Sequence, residues 1–206
     1  MYARTTTVHG DPGSLDEAID YLRRRVMPAI QALDGYVGLS MLCDRDTGRS
    51  IATTAWATRA ARDASATPLH ALRQRYAEMM GGGPEVEEWE IGALHRVRRA
   101  PEGAGCRVIW SRGDPAESDR LLDAVRMVAL PRLEELPGFC SMSLLLDRAY
   151  GRTATAVVYE SRETMRRAGE EDRAMREQFD RELGISVTEM GEFELALAHL
   201  RVPETV

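Results

Sequence analysis

The chain contains its own fold twice. Residues 3–66 fall on residues 106–169 without a gap, with about a quarter of the positions identical. The matches gather where backbone or packing demands are special. Gly10-Asp11-Pro12 falls on Gly113-Asp114-Pro115, Met27-Pro28 on Leu130-Pro131, and Asp34-Gly35-Tyr36 on Pro137-Gly138-Phe139. Asp44-Arg45 and Gly48-Arg49 meet Asp147-Arg148 and Gly151-Arg152, Trp56 meets Tyr159, and Arg59 meets Arg162. One extra residue in the second copy brings Trp89-Glu90-Ile91 onto Phe193-Glu194-Leu195 and His95 onto His199. The 206 residues therefore divide into two small domains of roughly 100 residues each.

Both copies read in one order. Residues 3–9 and 106–112 have the β-branched and aromatic content of first strands and end at Gly-Asp-Pro turns. A helix follows, opened by Ser14-Leu15-Asp16-Glu17 or Asp114-Pro115-Ala116-Glu117, both with capping-box spacing. Leu15, Ala18, Ile19, Leu22, Val26, Ile30 and Leu33 recur at helical spacing, and Pro28 and Pro131 are expected to kink or end this helix. Strands are expected over 36–44 and 49–58, then 139–147 and 152–161, joined by hairpins whose Gly48 and Gly151 suit a positive dihedral. Second helices cover about 60–80 and 163–183, and last strands lie near 86–95 and 189–199. The domains are thus 1–96 and 106–206 with a linker over 97–105, each in the β-α-β-β-α-β order of the ferredoxin-like split motif.

Composition excludes several classes of function. All 27 basic residues are arginine, so Schiff-base chemistry by lysine is absent, and there is no asparagine. This usage points to a GC-rich bacterial genome. The formal charge of −6 argues against a nucleic-acid partner, and the first and third strands lack the aromatic-basic signature that stacks bases. No apolar run has the length of a membrane span, and Met1 to Thr7 has no signal-peptide core. Cys43, Cys106 and Cys140 lack metal-ligand spacing and read as buried thiols in a cytoplasmic protein.

Three features resemble the antibiotic-biosynthesis-monooxygenase-like proteins of the dimeric α+β barrel superfamily. They are the Gly-aromatic starts Gly35-Tyr36 and Gly138-Phe139, the aromatics Trp56 and Tyr159 closing a strand just before a helix, and the element order itself. The resemblance implies an α+β fold in which two tandem ferredoxin-like domains form an intramolecular pseudo-dimeric α+β barrel, with further homodimerisation open. Strand alternation agrees: Val37, Leu39, Met41 and Cys43 alternate with Gly38, Ser40 and Leu42, so both faces read as covered.

The resemblance also implies activity. Some members are cofactor-free monooxygenases acting on polyaromatic substrates; others degrade haem. The first route needs an apolar pocket and a group that takes the substrate's proton, after which the substrate carbanion reduces oxygen. Trp56 and Tyr76 are the expected pocket walls and His70 the expected base, since a histidine titrates near neutrality. Trp110 and Tyr159, with Tyr150 beside them, are the substrate-binding candidates of the second half. The bland alternative makes Trp56 and Tyr159 core aromatics and His70 a surface residue. The haem route would use His70, one helical turn beyond the expected position near Ala66, as its axial ligand; the asparagine it also needs does not exist in this chain. No cofactor and no metal are expected, because the equivalent His95 and His199 make only a pair and metal sites need three or four ligands. The second copy has Tyr159, Arg173 and Phe179 where the first has Trp56, His70 and Tyr76, so the first half is the better candidate for a site. The expected partner is a small hydrophobic molecule. The competing reading is a non-catalytic barrel that binds such a ligand or serves only as structure.

Overall fold

The computed structural model describes residues 1–200; residues 201–206, the end of the second repeat, and the side chains of residues 170–172, 175, 176, 180 and 200 lie outside the described set. The first repeat supplies β1 (Tyr2–His9), α1 (Leu15–Tyr21), α2 (Met27–Gln31), β2 (Tyr36–Cys43), β3 (Arg49–Trp56), α3 (Arg59–Ala64), α4 (His70–Met80) and β4 (Glu85–Arg96). The second supplies β5 (Ala104–Arg112), α5 (Ser118–Ala124), α6 (Leu130–Glu134), β6 (Phe139–Asp147), β7 (Arg152–Tyr159), α7 (Arg162–Arg167), α8 (Gly169–Leu183) and β8 (Ser186–Leu200).

Local chemistry explains where these elements start and bend. Asp11 accepts from the Gly13 amide at 2.9 Å and Asp114 from the Ala116 amide at 2.9 Å, each heading a short 3-10 turn before the helix. Ser14 makes no capping hydrogen bond, contrary to the capping box expected there, because the turn headed by Asp11 has already placed it in helical conformation. The full capping box lies instead at Ser161 and Thr164. Pro28 and Pro131 do not end their helices. A wide π-type stretch, Leu22–Val26 in the first repeat and Val125–Ala129 in the second, precedes each proline, and the chain continues as α2 or α6.

Glycine is demanded at the two landmarks of each hairpin region. Gly48 has φ +73° and Gly151 φ +61°. A Cβ at Gly48 would also run into the Gly10 carbonyl oxygen. Gly35, at φ +75°, starts β2 so close to α3 that a Cβ there would lie 2.6 Å from the Ala61 Cβ.

The second helices differ from the expected single runs. α3 stops at Ala64 and α4 begins at His70, with turns between them, because Pro68 has no amide to continue the ladder. In the second repeat the interruption falls at Ala168, between α7 and α8.

Hydrogen bonds join the strands in the closed order β1-β3-β2-β8-β5-β7-β6-β4, an eight-stranded antiparallel barrel of the α+β class. The two repeats of the sequence and the two compact units of the fold are different divisions of the chain. The first unit comprises Met1–Trp89 with the chain from Glu194, and the second comprises Glu90–Phe193. Each last strand thus begins in one unit and ends in the other: β4 pairs Glu90–Arg96 with β6, and β8 pairs Glu194–Leu200 with β2.

Each unit has its own apolar core. The first gathers Val8, Leu15, Ile30, Leu39, Met41, Trp56 and Met80; the second gathers Leu130, Phe139, Met142, Leu144, Tyr159 and Met165. The three cysteines are buried free thiols. Burial pushes Cys43 up to about 11 and Cys106 up to about 12, so both are protonated and unreactive at neutral pH. Among the described residues no helix is long and apolar enough to cross a membrane.

Candidate functional site

Alternation along β1 puts Arg4, Thr6 and Val8 on the face covered by helices, an unusual place for a charge. Arg4 is 3% exposed. It is held by two bonds: one guanidinium nitrogen donates to Ser65 Oγ at 2.8 Å, the other to Glu88 Oε1 at 2.7 Å. Arg62, 4% exposed, donates to the second Glu88 oxygen at 2.9 Å and to Asp63 at 2.7 Å. One carboxylate on β4 therefore serves two buried guanidiniums. Such a cluster survives burial only because each charge has a partner.

Beside this cluster a cleft opens between the sheet and the helices of the first unit, with about 430 Å³ of empty space including its mouth. Its enclosed part holds only a few waters. Leu22, Val26, Ile30 and Leu39 line one side, and Leu69, Leu72, Arg73 and Tyr76 another. Thr6 and Thr54 reach it from β1 and β3, with Arg4 next to them. Arg73 donates to the Ala66 carbonyl at 2.9 Å, and burial together with the Arg4 charge holds it below the usual arginine range. The Tyr76 hydroxyl donates to Ser50 Oγ at 2.6 Å, and burial pushes it up to about 12.

The sequence candidates separate in space. Tyr76 lines the cleft. Trp56 is fully buried in the core, with its indole N–H donating to Thr54 Oγ1 at 3.1 Å and its ring edge-on to Tyr36 at 6.2 Å. It stands behind the cleft wall, and Thr54 is what the cleft sees. His70 is exposed at the first position of α4 and does not line the cleft. Its expected direction assumed an unbroken helix from residue 60; the break before α4 resets the helical phase and turns the ring to solvent. In the second unit Tyr159 is fully buried against Phe139, while Trp110 is partly buried and edge-on to Phe193 at 6.2 Å. Tyr150 is 67% exposed. His199 contacts the Tyr36 hydroxyl at 3.2 Å, and His95 contacts Glu134 at 2.7 Å. Among the described residues no three histidine, cysteine or acidic side chains are grouped to hold a metal.

Arginine was the residue type overlooked. Arg4 and Arg107 occupy the same position of the two repeats, and Arg107 repeats the Arg4 bond by donating to Glu192 at 2.8 Å, with Glu192 the counterpart of Glu88. A charge within a first strand, twice at one aligned position, is the signal that identifies them. Around this shared pair the repeats diverge: Thr6, Thr54 and Tyr76 become Ile109, Val157 and Phe179. Arg62 becomes Met165.

The fold is that of the antibiotic-biosynthesis-monooxygenase-like dimeric α+β barrel proteins. An anthrone oxidase-like protein superposes with TM-score 0.66 at 12% identity, over 97% of this chain and 93% of that one. A candidate monooxygenase of Lactobacillus acidophilus NCFM superposes with TM-score 0.69 at 14% identity, over 97% and 96%. A heme-degrading enzyme of Listeria monocytogenes gives 0.53 at 10% identity, over 94% and 99%. No family model matches the chain. Two Mycobacterium tuberculosis H37Rv proteins, uncharacterized proteins Rv2557 and Rv2558, are each 44% identical over 100% of this chain and cover 92% and 88% of their own lengths. The chain belongs to the family of these mycobacterial proteins.

Proposed function

We propose that the protein binds a small hydrophobic or aromatic molecule in the cleft between the sheet and helices of its first unit. The carrying observation is the lining: apolar side chains on the helices, and a few polar groups whose positions are fixed by bonds to neighbouring residues. Ligand sites are generally built this way. The enclosed space is small, so a ligand larger than a few waters extends into the open mouth of the cleft. Native mass spectrometry of the purified protein tests the reading. A retained small molecule, lost when Leu72→Trp fills the cleft, supports it; retention unaffected by Leu72→Trp places the ligand elsewhere and defeats it.

The second reading is cofactor-independent monooxygenation, favoured by the likeness of fold to the anthrone oxidase-like protein. Among the described residues lining the cleft there is no histidine or carboxylate, so a substrate for this chemistry must itself be acidic. Oxygen uptake with anthrone as probe substrate tests it: uptake above the uncatalysed rate that falls in Leu72→Trp supports catalysis in the cleft. Haem does not fit these residues, because His70 points to solvent and offers no axial ligand inside the cleft.

A further inference from the structure

We propose that the cleft selects its ligand as an anion, a small aromatic or aliphatic carboxylate whose charged end meets Arg73 beside Arg4 and whose apolar body lies against the helices. The inference rests on the cleft being the binding site.

The charges around Glu88 carry the argument. Arg4 takes one Glu88 oxygen at 2.7 Å and Arg62 the other at 2.9 Å, while Arg62 also holds Asp63. Two carboxylates thereby answer two guanidiniums. Arg73 is the third cation of the group: its hydrogen bond goes to a backbone carbonyl, and Glu88, already bonded to Arg4 and Arg62, attracts it through space, less strongly than burial and the Arg4 charge oppose it. Its positive charge is partly buried in an otherwise apolar cleft and faces a like charge on Arg4. Arginine does not escape by losing its proton. An entering carboxylate removes the imbalance, and the planar guanidinium matches a carboxylate better than any other side chain does. The second repeat also has an arginine, Arg176, at the position of Arg73, but its surroundings differ. With Met165 in place of Arg62, the counterpart carboxylate Glu192 bonds to Arg107, and the shared-carboxylate arrangement is gone.

Direction follows from the lining. Arg4, Arg73, Thr6 and Thr54 bring the polar atoms, and Leu22, Val26 and Ile30 bring the apolar wall. A ligand with one charged end and one greasy end can satisfy both; a neutral hydrocarbon adds no carboxylate to Arg73, whose hydrogen bond goes to the Ala66 carbonyl.

The test is a 19F NMR titration of the full chain at neutral pH with 4-(trifluoromethyl)benzoate and with 4-(trifluoromethyl)benzyl alcohol, which share a body and differ in charge. The expected result is benzoate binding about tenfold tighter than the alcohol, weakening with salt. Arg73→Gln should bring the two within about twofold of each other, and Arg73→Lys should keep part of the preference. Leu72→Trp should abolish both. Arg73 is partly exposed on a helix, and thermal melting checks that its variants fold. Equal binding of benzoate and alcohol in the wild type, or a preference that persists in Arg73→Gln, overturns the anion inference. The cleft reading then stands if Leu72→Trp still removes binding. Binding of neither probe overturns both.

Discussion

The two units share a backbone plan and an Arg–Glu pair, yet they differ in the polar groups built into the sheet and its helices. In the first, three side-chain hydrogen bonds are built into the sheet and its helices: Tyr76 to Ser50, Trp56 to Thr54, and Trp89 to Thr5. In the second repeat the donor positions hold Phe179, Tyr159 and Phe193, and the acceptor positions hold Thr153, Val157 and Val108. Donor and acceptor disappear together for Trp89 and Thr5, as burial requires, since losing one member alone would strand the other. The second repeat therefore forms the same elements without the Tyr76–Ser50 and Trp89–Thr5 pairs. What the first repeat keeps beyond that surrounds the cleft proposed as the binding site.

The largest expected effect tests the shared part of the comparison. Trp56→Ala and Tyr159→Ala should each destabilise the protein by about 3–5 kcal/mol in urea unfolding, because both are fully buried core aromatics. A much smaller loss for Trp56 would break the equivalence. Tyr76→Phe makes the first unit resemble the second and removes a partner from fully buried Ser50, with an expected loss of about 1–2 kcal/mol.

The same hydroxyl gives a pH signature. Its folded value is raised from 10.0 to about 12, so the folded state keeps a proton that the unfolded state releases. Its contribution is complete below pH 10.0 and declines as pH rises towards 12, and Tyr76→Phe should flatten that part of the urea-midpoint profile. A double-mutant cycle of Thr5→Val and Trp89→Phe should show a coupling of about 0.5–1.5 kcal/mol, with the double variant less damaged than the two single losses summed. The smallest effect belongs to two triads at the surface, each with a partly buried glutamate. Arg45 contacts Glu194 at 3.0 Å and Asp16 at 2.9 Å; Arg148 contacts Glu90 at 3.0 Å and Asp119 at 2.9 Å. Arg45→Ala and Arg148→Ala should cost about 0–1 kcal/mol each and less in salt.

The repeat made the architecture legible, because coincidence at turn glycines, helix-entry prolines and strand-closing aromatics survives sequence divergence. Gly35 and Gly48 were readable since their conformations leave few alternatives to glycine. The orientation of His70 was not readable. Pro68 announced a break, but the number of residues spent in the turn fixes where the next helix begins its phase. Arg4 was hidden for another reason: its partners Ser65 and Glu88 lie far along the chain, and no local pattern joins them. The exchange of β4 and β8 also has no local signature, since the alternation of a strand does not say which neighbour it will join.

That exchange has a consequence for the order in which the chain acquires structure. The described residues of the second unit form a continuous stretch, Glu90–Phe193, whereas the first must wait for the strand segment from Glu194 that lies beside β2. Leu39 pairs with His199 across most of the polypeptide, a long-range closure that slows folding. On a ribosome, where synthesis runs from the N-terminus, the half made last is then the half finished first. Pulsed hydrogen exchange during refolding should find β5, β6 and β7 protected before β2, and chains halted after residue 193 should protect only the second unit fully.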